Sequence, residues 1–364
     1  MYQTAAGAMA VRGDRILAVG SRAEVERFAG PQTEHVDLAG KTVLPGLVDS
    51  HVHASAAAMY EWERPVPDLE TVADVLKYIR GRAAAAQPGE WITLSQIFIT
   101  RLKDQRFPTR VELDAAAPRN PAVLQAWGVS QVYSISAPSY RGMRFIEPEK
   151  LYQILKTAIQ HELQPTAHAV GDGAVSEMAE AYERINRELP VRAARPSISH
   201  SNCMTADAIR RIKDMGVVLD LQPVWLWLDS ATPRKQFGDA RPTYFQPYRS
   251  LFDARVMAGG GSDHMQKIGS PRSINPHNPW LGMWTTLTRQ ARWTDAPMHP
   301  EQRITRREAI RLYTINNAYL TFTEEGKGSL DKGKLADFIV LDRDVLTCPV
   351  EQTYLGGRRV HQRR

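Results

Sequence analysis

Cysteine is scarce in this chain: only Cys203 and Cys348 occur among 364 residues. Two cysteines exclude a disulfide framework and are typical of a protein from a reducing compartment. The sequence also lacks an apolar run of the ~20 residues that a membrane helix needs. Its N-terminus lacks the basic and then apolar pattern of a secretory signal. These absences predict a cytoplasmic protein with no membrane partner.

A concentrated basic stripe is missing too, although the net charge is +6. The positive charge is spread along the chain, and its one dense cluster is the C-terminal segment 358–364. A nucleic-acid-binding protein is expected to carry such a stripe or a recognisable binding module. We therefore predict no nucleic-acid partner and interpret the basic cluster as a solvated chain end.

What the sequence does contain is a long alternation of strand-like and helix-like segments. Apolar residues at helical spacing predict a helix over 69–86, and the apolar segment 91–94 predicts a strand after it. Further along, the same patterns predict helices over 109–117, 147–163, 174–188, 205–215, 281–290 and 305–318. They predict strands over 122–127, 165–168, 197–200, 217–221 and 255–259. Such alternation is typical of a parallel sheet with helical crossovers.

Two parts of the chain depart from this alternation. The ends, 8–40 and 328–360, read as short strands and turns, with a hairpin predicted around Gly13-Asp14. The stretch that carries Trp225, Trp227 and Pro247 is predicted to be rich in loops.

His51 and His53 follow a strand-like segment that begins at Val43. Because alternate side chains of a strand share a face, the two imidazoles are predicted to point the same way. Neutral ring nitrogens are good ligands for a divalent metal such as zinc. The competing interpretation is a chance His-x-His in a chain with ten histidines.

Polar residues at the ends of later predicted strands favour the metal interpretation. These residues are His168, His200 and Asp263. In a (β/α)8 barrel the carboxyl ends of the strands form one rim, where active sites are built. An open doubly wound sheet would spread the same residues along a line, so five potential ligands at four strand ends favour the closed barrel.

These motifs resemble those of the metal-dependent amidohydrolase superfamily, and most closely amidohydrolase family 3. The segments that carry the resemblance are LPGLVDSHVH at 44–53, HAVGD at 168–172, SHSN at 199–202, GSD at 261–263, AIRLYTINNA at 309–318 and KGSLDKGKLADFIVL at 327–341. The resemblance implies an α/β fold: a distorted, TIM-like (β/α)8 barrel over 41–324. It also implies a small β-sandwich domain formed by both chain ends, 1–40 plus 325–364.

The resemblance further implies a metal site and a reaction. His51 and His53 would bind metal from strand one, His168 from strand five and His200 from strand six. Asp263, at the end of strand eight, would be both a metal ligand and the general base. One or two divalent ions, zinc before others, would activate water. The expected reaction is hydrolysis of a non-peptide carbon–nitrogen bond of amide type in a small molecule, with His200 helping to polarise the carbonyl.

Four more residues are candidates for supporting roles. Asp49 and Asp172 could orient the ligand histidines, although for Asp172 a structural role, holding the turn after strand five, is favoured. His264 could contact substrate or simply neighbour the site. Trp225 could line an apolar substrate pocket, although packing is the commoner fate of a tryptophan.

The pattern breaks between residues 119 and 146. This stretch contains no Lys, Asp or Glu, and the strand-like segment 131–135 follows 122–127 without room for a crossover. The barrel is therefore predicted to be incomplete around strands 3 and 4, and a bridging carboxylate or carbamylated lysine could be lost with the missing unit. Three explanations stay open: a mononuclear enzyme with a trimmed barrel, a sequence from which flexible internal loops between about 127 and 140 and near 352 are omitted, or a degenerate, inactive barrel.

Two alternative functions follow from these explanations. One is a mononuclear deaminase of the same superfamily, but residues 168–171 read HAVG rather than the His-x-x-Glu that often serves there. The other is a catalytically degenerate, amidohydrolase-like scaffold, although such relatives usually lose their metal ligands. The sequence leaves open the substrate and whether the chain forms a homo-oligomer.

Overall fold

The computed structural model describes residues 7–59, 68–95, 97–125, 144–239, 244–265, 275–342 and 350–363. The chain divides into two compact units. Unit 1 consists of Met1–Ser50, Ala258–Gly260 and Arg306–Arg364, and unit 2 of His51–Met257 and Gly261–Thr305. Unit 1 thus also contains 41–50 and 306–324, which lie inside the barrel range predicted from the sequence. Those predicted domain boundaries stay a prediction.

The strands and helices are labelled in chain order. The strands are β1 (Ala8–Arg12), β2 (Arg15–Gly20), β3 (Thr42–Pro45), β4 (Ile92–Ser95), β5 (Ala122–Gln125), β6 (His168–Ala169), β7 (Ser197–His200), β8 (Val218–Leu221), β9 (Ala258–Gly260), β10 (Phe338–Leu341), β11 (Val350–Leu355) and β12 (Arg358–Gln362). The α-helices are α1 (Arg22–Glu26), α2 (Ala54–Met59), α3 (Val72–Ala85), α4 (Arg110–Ala116), α5 (Pro148–Gln160), α6 (Asp172–Asn186), α7 (Ala206–Met215), α8 (Val224–Asp229), α9 (Ala231–Phe237), α10 (Tyr248–Asp253), α11 (Pro279–Thr288), α12 (Arg306–Leu312) and α13 (Ile315–Leu320).

Unit 1 joins the two chain ends through antiparallel sheets. β1 and β2 form the predicted hairpin, with Gly13 at a positive φ of 61° in the turn. A second sheet has the strand order β12-β11-β10-β3. The Ile16 N–H donates to the Lys334 carbonyl at 2.9 Å, and Ile16, Phe338 and Val340 share one buried cluster. Short strands at both ends are therefore confirmed, whereas a sandwich of the two sheets stays a prediction.

Unit 2 contains parallel strands and most of the helices. β4 pairs in parallel with β5, and β7 lies between β6 and β8 with parallel pairing on both sides. Val75 and Ile79 of α3 pack on Ile92 and Leu94 of β4 in a buried cluster. The predicted α/β mixture with parallel pairing is thus present. The described strands form no closed barrel, and the barrel therefore stays a prediction.

Local signals in the sequence explain where the predicted helices begin. Thr71 and Asp74 form a capping box at the start of α3, and Thr109 and Glu112 form another at α4. Each box satisfies backbone N–H groups that the first helical turn leaves unpaired. Gly216 ends α7 with a positive φ of 72°, a conformation that glycine adopts at little cost.

Several predicted elements differ from the structure. The regular strand that precedes the histidine pair ends at Pro45 and pairs antiparallel with β10, so His51 and His53 are not part of a long barrel strand. The stretch after β8 is not loop-rich, because it holds α8, α9 and α10. Residues 224–226 are all buried, so α8 has no polar face that would reveal a helical period. The single helix predicted over 305–318 is divided into α12 and α13.

Two predicted strands are displaced or shortened in the structure, and two others lie partly or wholly outside the described residues. The strand predicted over 255–259 is β9, displaced towards the C-terminus, and the one predicted over 165–168 is the two-residue β6. Residues 126–127 and the strand-like segment 131–135 lie outside the described residues.

Candidate metal centre

Backbone pairing brings the histidine pair beside Asp263. Val52 forms a parallel bridge with His264. The Asp263 N–H donates to the His51 carbonyl at 2.7 Å, and the His53 N–H donates to the His264 carbonyl at 2.9 Å. The segment from His51 to His53 is therefore locally extended. This is why its two imidazoles lie on one side, as the spacing predicted, although the long strand is absent.

Three ligand atoms converge at this point. Asp263 Oδ1 lies 2.9 Å from His53 Nε2 and 3.3 Å from His51 Nε2. His51, His53 and Asp263 each offer one ligand atom, and these atoms lie within 4.8 Å of one another. Within the described part of the chain, the buried Asp263 Oδ1 has no hydrogen-bond partner, because the two short approaches do not satisfy hydrogen-bond geometry. Imidazole nitrogens and a carboxylate oxygen gathered in this way fit a divalent cation.

His200 and His168 continue the cluster from β7 and β6. The His200 ring centroid lies 5.2 Å from that of His51, and the His168 centroid lies 4.4 Å from that of His200. The structure thus brings all five sequence-predicted ligand residues into one region of unit 2. His168 and His200 are not in the group within 4.8 Å, which among the described residues contains only His51, His53 and Asp263.

Asp220 and Gln222 set the tautomers of two histidines. His51 Nδ1 lies 2.6 Å from Asp220 Oδ2, and His200 Nδ1 lies 2.6 Å from Gln222 Oε1. Because an ionised carboxylate only accepts hydrogen bonds, a proton of His51 is on Nδ1, and Nε2 is the ring nitrogen on the side of Asp263. Gln222 Nε2 donates to Asp220 Oδ1 at 3.3 Å, which turns Gln222 Oε1 towards His200 and assigns the same tautomer there.

Sequence reasoning missed Asp220 and Gln222. The available signal was the position of Asp220: a carboxylate within the apolar strand β8 and only 7% exposed. A charged group in such a place needs a partner. Its partner, His51, is 169 residues away in the chain, and periodicity carries no information about that contact.

The electrostatics of the cluster favour neutral rings at His168 and His200. Burial, reinforced by His168, lowers the pKa of His200 well below its usual value. Burial, and then His51, lowers the pKa of His168. Burial also raises the pKa of Asp263, against the opposing effects of His51, His53 and Arg101. Neutral imidazole is the form that binds metal, and a cation beside Asp263 would favour its charged form.

Two central residues hold unusual backbone conformations. His200 has a φ of 76° and Asp263 a φ of 52°, both in the left-handed region. Residues other than glycine adopt this region at a cost, and such strain concentrates at functional sites. The conformations occur where β7 ends and where the glycine run before Asp263 ends.

The supporting candidates from the sequence have different environments. Trp225 stacks on His200, with ring centroids 4.7 Å apart and an interplanar angle of 11°. Asp172 is at the start of α6, and its carboxylate accepts from the Gly173 N–H at 2.8 Å; burial raises its pKa. His264 is 2% exposed, and its Nδ1 lies 2.7 Å from the Asn275 carbonyl. Asp49 belongs to unit 1. Functional roles for these four residues stay predictions.

Comparison with known proteins identifies the class of enzyme as an amidohydrolase. A family model described as "Amidohydrolase family" matches residues 34–128 and 126–361. The chain belongs to the amidohydrolase family. A second model, described as "Imidazolonepropionase-like composite domain, bacteria", matches residues 7–29. The predicted family and the predicted enzyme class, a hydrolase of carbon–nitrogen bonds other than peptide bonds, are thereby confirmed.

The first relative is distant in sequence, but its similarity extends over nearly the whole chain. The N-substituted formamide deformylase of Arthrobacter pascens is 24% identical over 519 aligned positions, covering 97% of this chain and 94% of that protein. The aligned length exceeds the 364 residues of this chain, so the relative carries internal segments that this chain lacks. The chain spans about two fifths of the length of two other curated relatives.

Solved structures support the same fold class. An uncharacterized metal-dependent hydrolase from Pyrococcus furiosus aligns with a TM-score of 0.63 at 19% identity, over 93% of this chain and 95% of that one. Atrazine chlorohydrolase TrzN from Arthrobacter aurescens TC1, complexed with zinc, aligns with a TM-score of 0.53 at 17% identity, over 97% and 90%. At these identities the similarity concerns the fold. None of the described helices has both the length and the apolar character to cross a membrane.

Proposed function

We propose that this chain hydrolyses a non-peptide carbon–nitrogen bond of amide type in a small molecule, with zinc or a similar divalent ion as cofactor. One observation carries the proposal. The ligand atoms of His51, His53 and Asp263 lie within 4.8 Å of one another, and the buried Asp263 Oδ1 has no hydrogen-bond partner among the residues that the structure describes. A cation would satisfy that oxygen, whose burial without a partner is otherwise costly.

The proposed ligands are His51, His53 and Asp263, joined by His168 and His200. When bound, the ion would supply Lewis acidity and lower the pKa of an attacking water. Asp220 and Gln222 hold protons on Nδ1 of His51 and His200, so Nε2 of each ring would be the atom that binds the ion. Trp225 covers one face of His200 and holds that ring in place.

Asp263 is proposed as the group that moves the proton. It accepts a proton from the attacking water and returns it to the leaving nitrogen, acting first as base and then as acid. Asp263 is buried, so a proton that it takes up is kept from bulk water until it reaches the leaving nitrogen. His200, whose ring centroid lies 5.2 Å from that of His51, is proposed to help polarise the scissile carbonyl.

N-substituted formamides are the first substrate class to test. The support is the full-length match to the formamide deformylase of Arthrobacter pascens. At 24% identity, this match supports the type of reaction more strongly than the identity of the substituent on the formamide nitrogen. The loops of the barrel rim, which set substrate choice in such folds, are where distant relatives differ most.

The number of ions is proposed to be at least one. The two segments matched by the family model meet at residues 126–128, inside the stretch 119–146 that has no Lys, Asp or Glu. We propose that this part of the family fold is shortened here and that the stretch provides no bridging ligand. A TIM-like (β/α)8 barrel that is incomplete around strands 3 and 4, a β-sandwich from both chain ends and a cytoplasmic location belong to the same proposal.

Asp263→Asn tests the proposal. The amide keeps the shape of the side chain but cannot take up the water proton, so turnover should fall by ~10²–10⁴-fold. Turnover would be measured on a panel of N-substituted formamides, N-acylated amines and cyclic amides, with thermal unfolding as a check of folding. Asp253→Asn, on the exposed side of α10, is the matched control and should keep full activity.

Three outcomes would count against the proposal. One is an Asp263→Asn variant that turns over as fast as the wild type. Another is a metal-loaded wild type that hydrolyses no member of the panel. Release of ammonia from a heteroaromatic amine, without amide hydrolysis, would point to the deaminase.

A further inference from the structure

Asn275 contacts Asp263, the residue that is proposed to move the proton. Its side chain is fully buried, and its Nδ2 lies 3.0 Å from Asp263 Oδ2 and 2.6 Å from the Asp263 carbonyl. Its own carbonyl lies 2.7 Å from His264 Nδ1. One residue therefore contacts the carboxylate of Asp263, its main chain and the side chain that follows it.

The orientation of the Asn275 amide follows from the chemistry of its neighbours. Asn275 Oδ1 accepts hydrogen bonds from Arg101 Nη1 at 2.9 Å and from Trp225 Nε1 at 3.0 Å. Guanidinium and indole nitrogens only donate, so the atom that faces them must be the amide oxygen. The NH₂ group is thereby directed at Asp263, and Asp263 Oδ2 is an acceptor in this contact.

A buried ion pair anchors this arrangement. Arg101 pairs with Asp229 through Nε at 3.1 Å and Nη2 at 3.3 Å. Asp229 is fully buried and also accepts from Thr100 Oγ1 at 2.7 Å. Because neither charge can turn towards water, the guanidinium is held in one place and presents Nη1 to Asn275.

We propose that Asn275 is a positioning residue for the hydrolytic site, which orients the carboxylate of Asp263. By binding Oδ2 and the main-chain carbonyl, it directs Oδ1 towards His51 and His53. It also stabilises the left-handed backbone of Asp263, whose φ is 52°. Asn275 acts through Asp263 and does not itself touch the reacting atoms. The inference rests on the proposed function.

Asn275→Asp tests this role, because it keeps the acceptors for Arg101 and Trp225 but replaces the donor to Asp263 by an oxygen. The matched control is Asn120→Asp, since Asn120 is also buried but donates only to the carbonyls of Gln87 and Glu90. For each protein, Co²⁺ would be titrated into the metal-free form. Affinity and the visible absorption band would be recorded, and kcat and KM would be measured separately on the zinc form.

We expect Asn275→Asp to weaken Co²⁺ binding and lower kcat, each by roughly 10- to 100-fold, as loss of a group supporting a ligand does. KM should change little, because the residue acts on the carboxylate and not on the substrate. The Co²⁺ absorption band should also shift. Asn120→Asp should lose thermal stability while keeping the affinity, the band and kcat of the wild type.

A purely structural role for Asn275 predicts a different result. Asn275→Asp would then lose stability as Asn120→Asp does and keep wild-type Co²⁺ affinity and kcat, which would overturn the inference. If Asn275→Asp does not fold, Asn275→Ala removes the donor without adding charge and must show the same losses. A wild type that binds no Co²⁺ would instead reject the proposed function, and the inference with it.

Discussion

His51 depends on a partner that lies far away in the sequence. Its Nδ1 is 2.6 Å from Asp220 Oδ2, and this contact leaves Nε2 to face Asp263. A ligand histidine that has lost its carboxylate partner is less basic and free to rotate or to change tautomer. Asp220 should therefore matter for metal affinity although it is not in the tight group of ligand atoms.

Asp220→Asn measures this dependence. The amide accepts less strongly than a carboxylate and can present its NH₂ group to Nδ1, which favours the wrong tautomer of His51. We expect zinc affinity to fall by roughly 10- to 100-fold, measured by competition with a chromophoric chelator. Asp253→Asn again serves as the surface control. Equal zinc affinities for the two variants would show that the contact with Asp220 does not tune the site.

Among the secondary-structure elements, β9 depends on two glycines that pack against the α12–α13 region of unit 1. The Gly260 N–H donates to Asn317 Oδ1 at 3.0 Å, and Asn317 Nδ2 donates back to the Gly260 carbonyl at 2.8 Å. A Cβ at Gly259 would overlap Asn317 Oδ1 and lie 2.8 Å from Leu320 Cδ2. A methyl group here would therefore displace the asparagine that holds the strand.

Gly259→Ala should destabilise the fold by about 1–3 kcal/mol, the usual cost of overpacking a filled core. The control is Gly81→Ala, because Gly81 lies on the exposed side of α3 with no atom near the added methyl. That substitution should stabilise the helix by up to about 1 kcal/mol, since alanine has the higher helix propensity. Urea unfolding of both variants measures the difference. A Gly259→Ala protein as stable as the wild type would contradict the packing account.

The helices also show how much of the fold could be predicted from the sequence. The helices α3 and α4 were predicted within three residues at each end from the pattern of their apolar residues. The capping boxes at Thr71 and Thr109, which mark their starts in the structure, were not used for that prediction. In contrast, α8 was missed, since a helix buried on all sides has no period that distinguishes it from a loop or strand. Periodicity reports which side faces water, and α8 has almost no such side.

Some residues of the candidate site could likewise be predicted from the sequence, and others could not. His51, His53, His168, His200 and Asp263 were predicted because histidines and a carboxylate at strand ends are chemically distinctive. Gln222 and Asn275 were not, because an amide gains its role only from contacts such as those to His200 and Asp263. Those contacts exist only after folding.

At the scale of the whole molecule, one chain builds two compact units from segments that are not contiguous. Unit 1 joins the two chain ends and contributes antiparallel sheets, while unit 2 carries all five proposed metal ligands. The family match spans most of both units. The proposed hydrolytic site therefore requires that unit 2 holds a metal in the intact protein.

Metal content of the purified full chain, measured by elemental analysis, tests this claim most directly. We predict one or two divalent ions per chain, with zinc first, and substantially less metal in a His51→Ala, His53→Ala double variant that remains folded. Removal of the ion by a chelator should abolish hydrolysis, and returning zinc should restore it. A folded wild type that holds no metal, even after reconstitution with zinc, manganese or iron, would contradict the account.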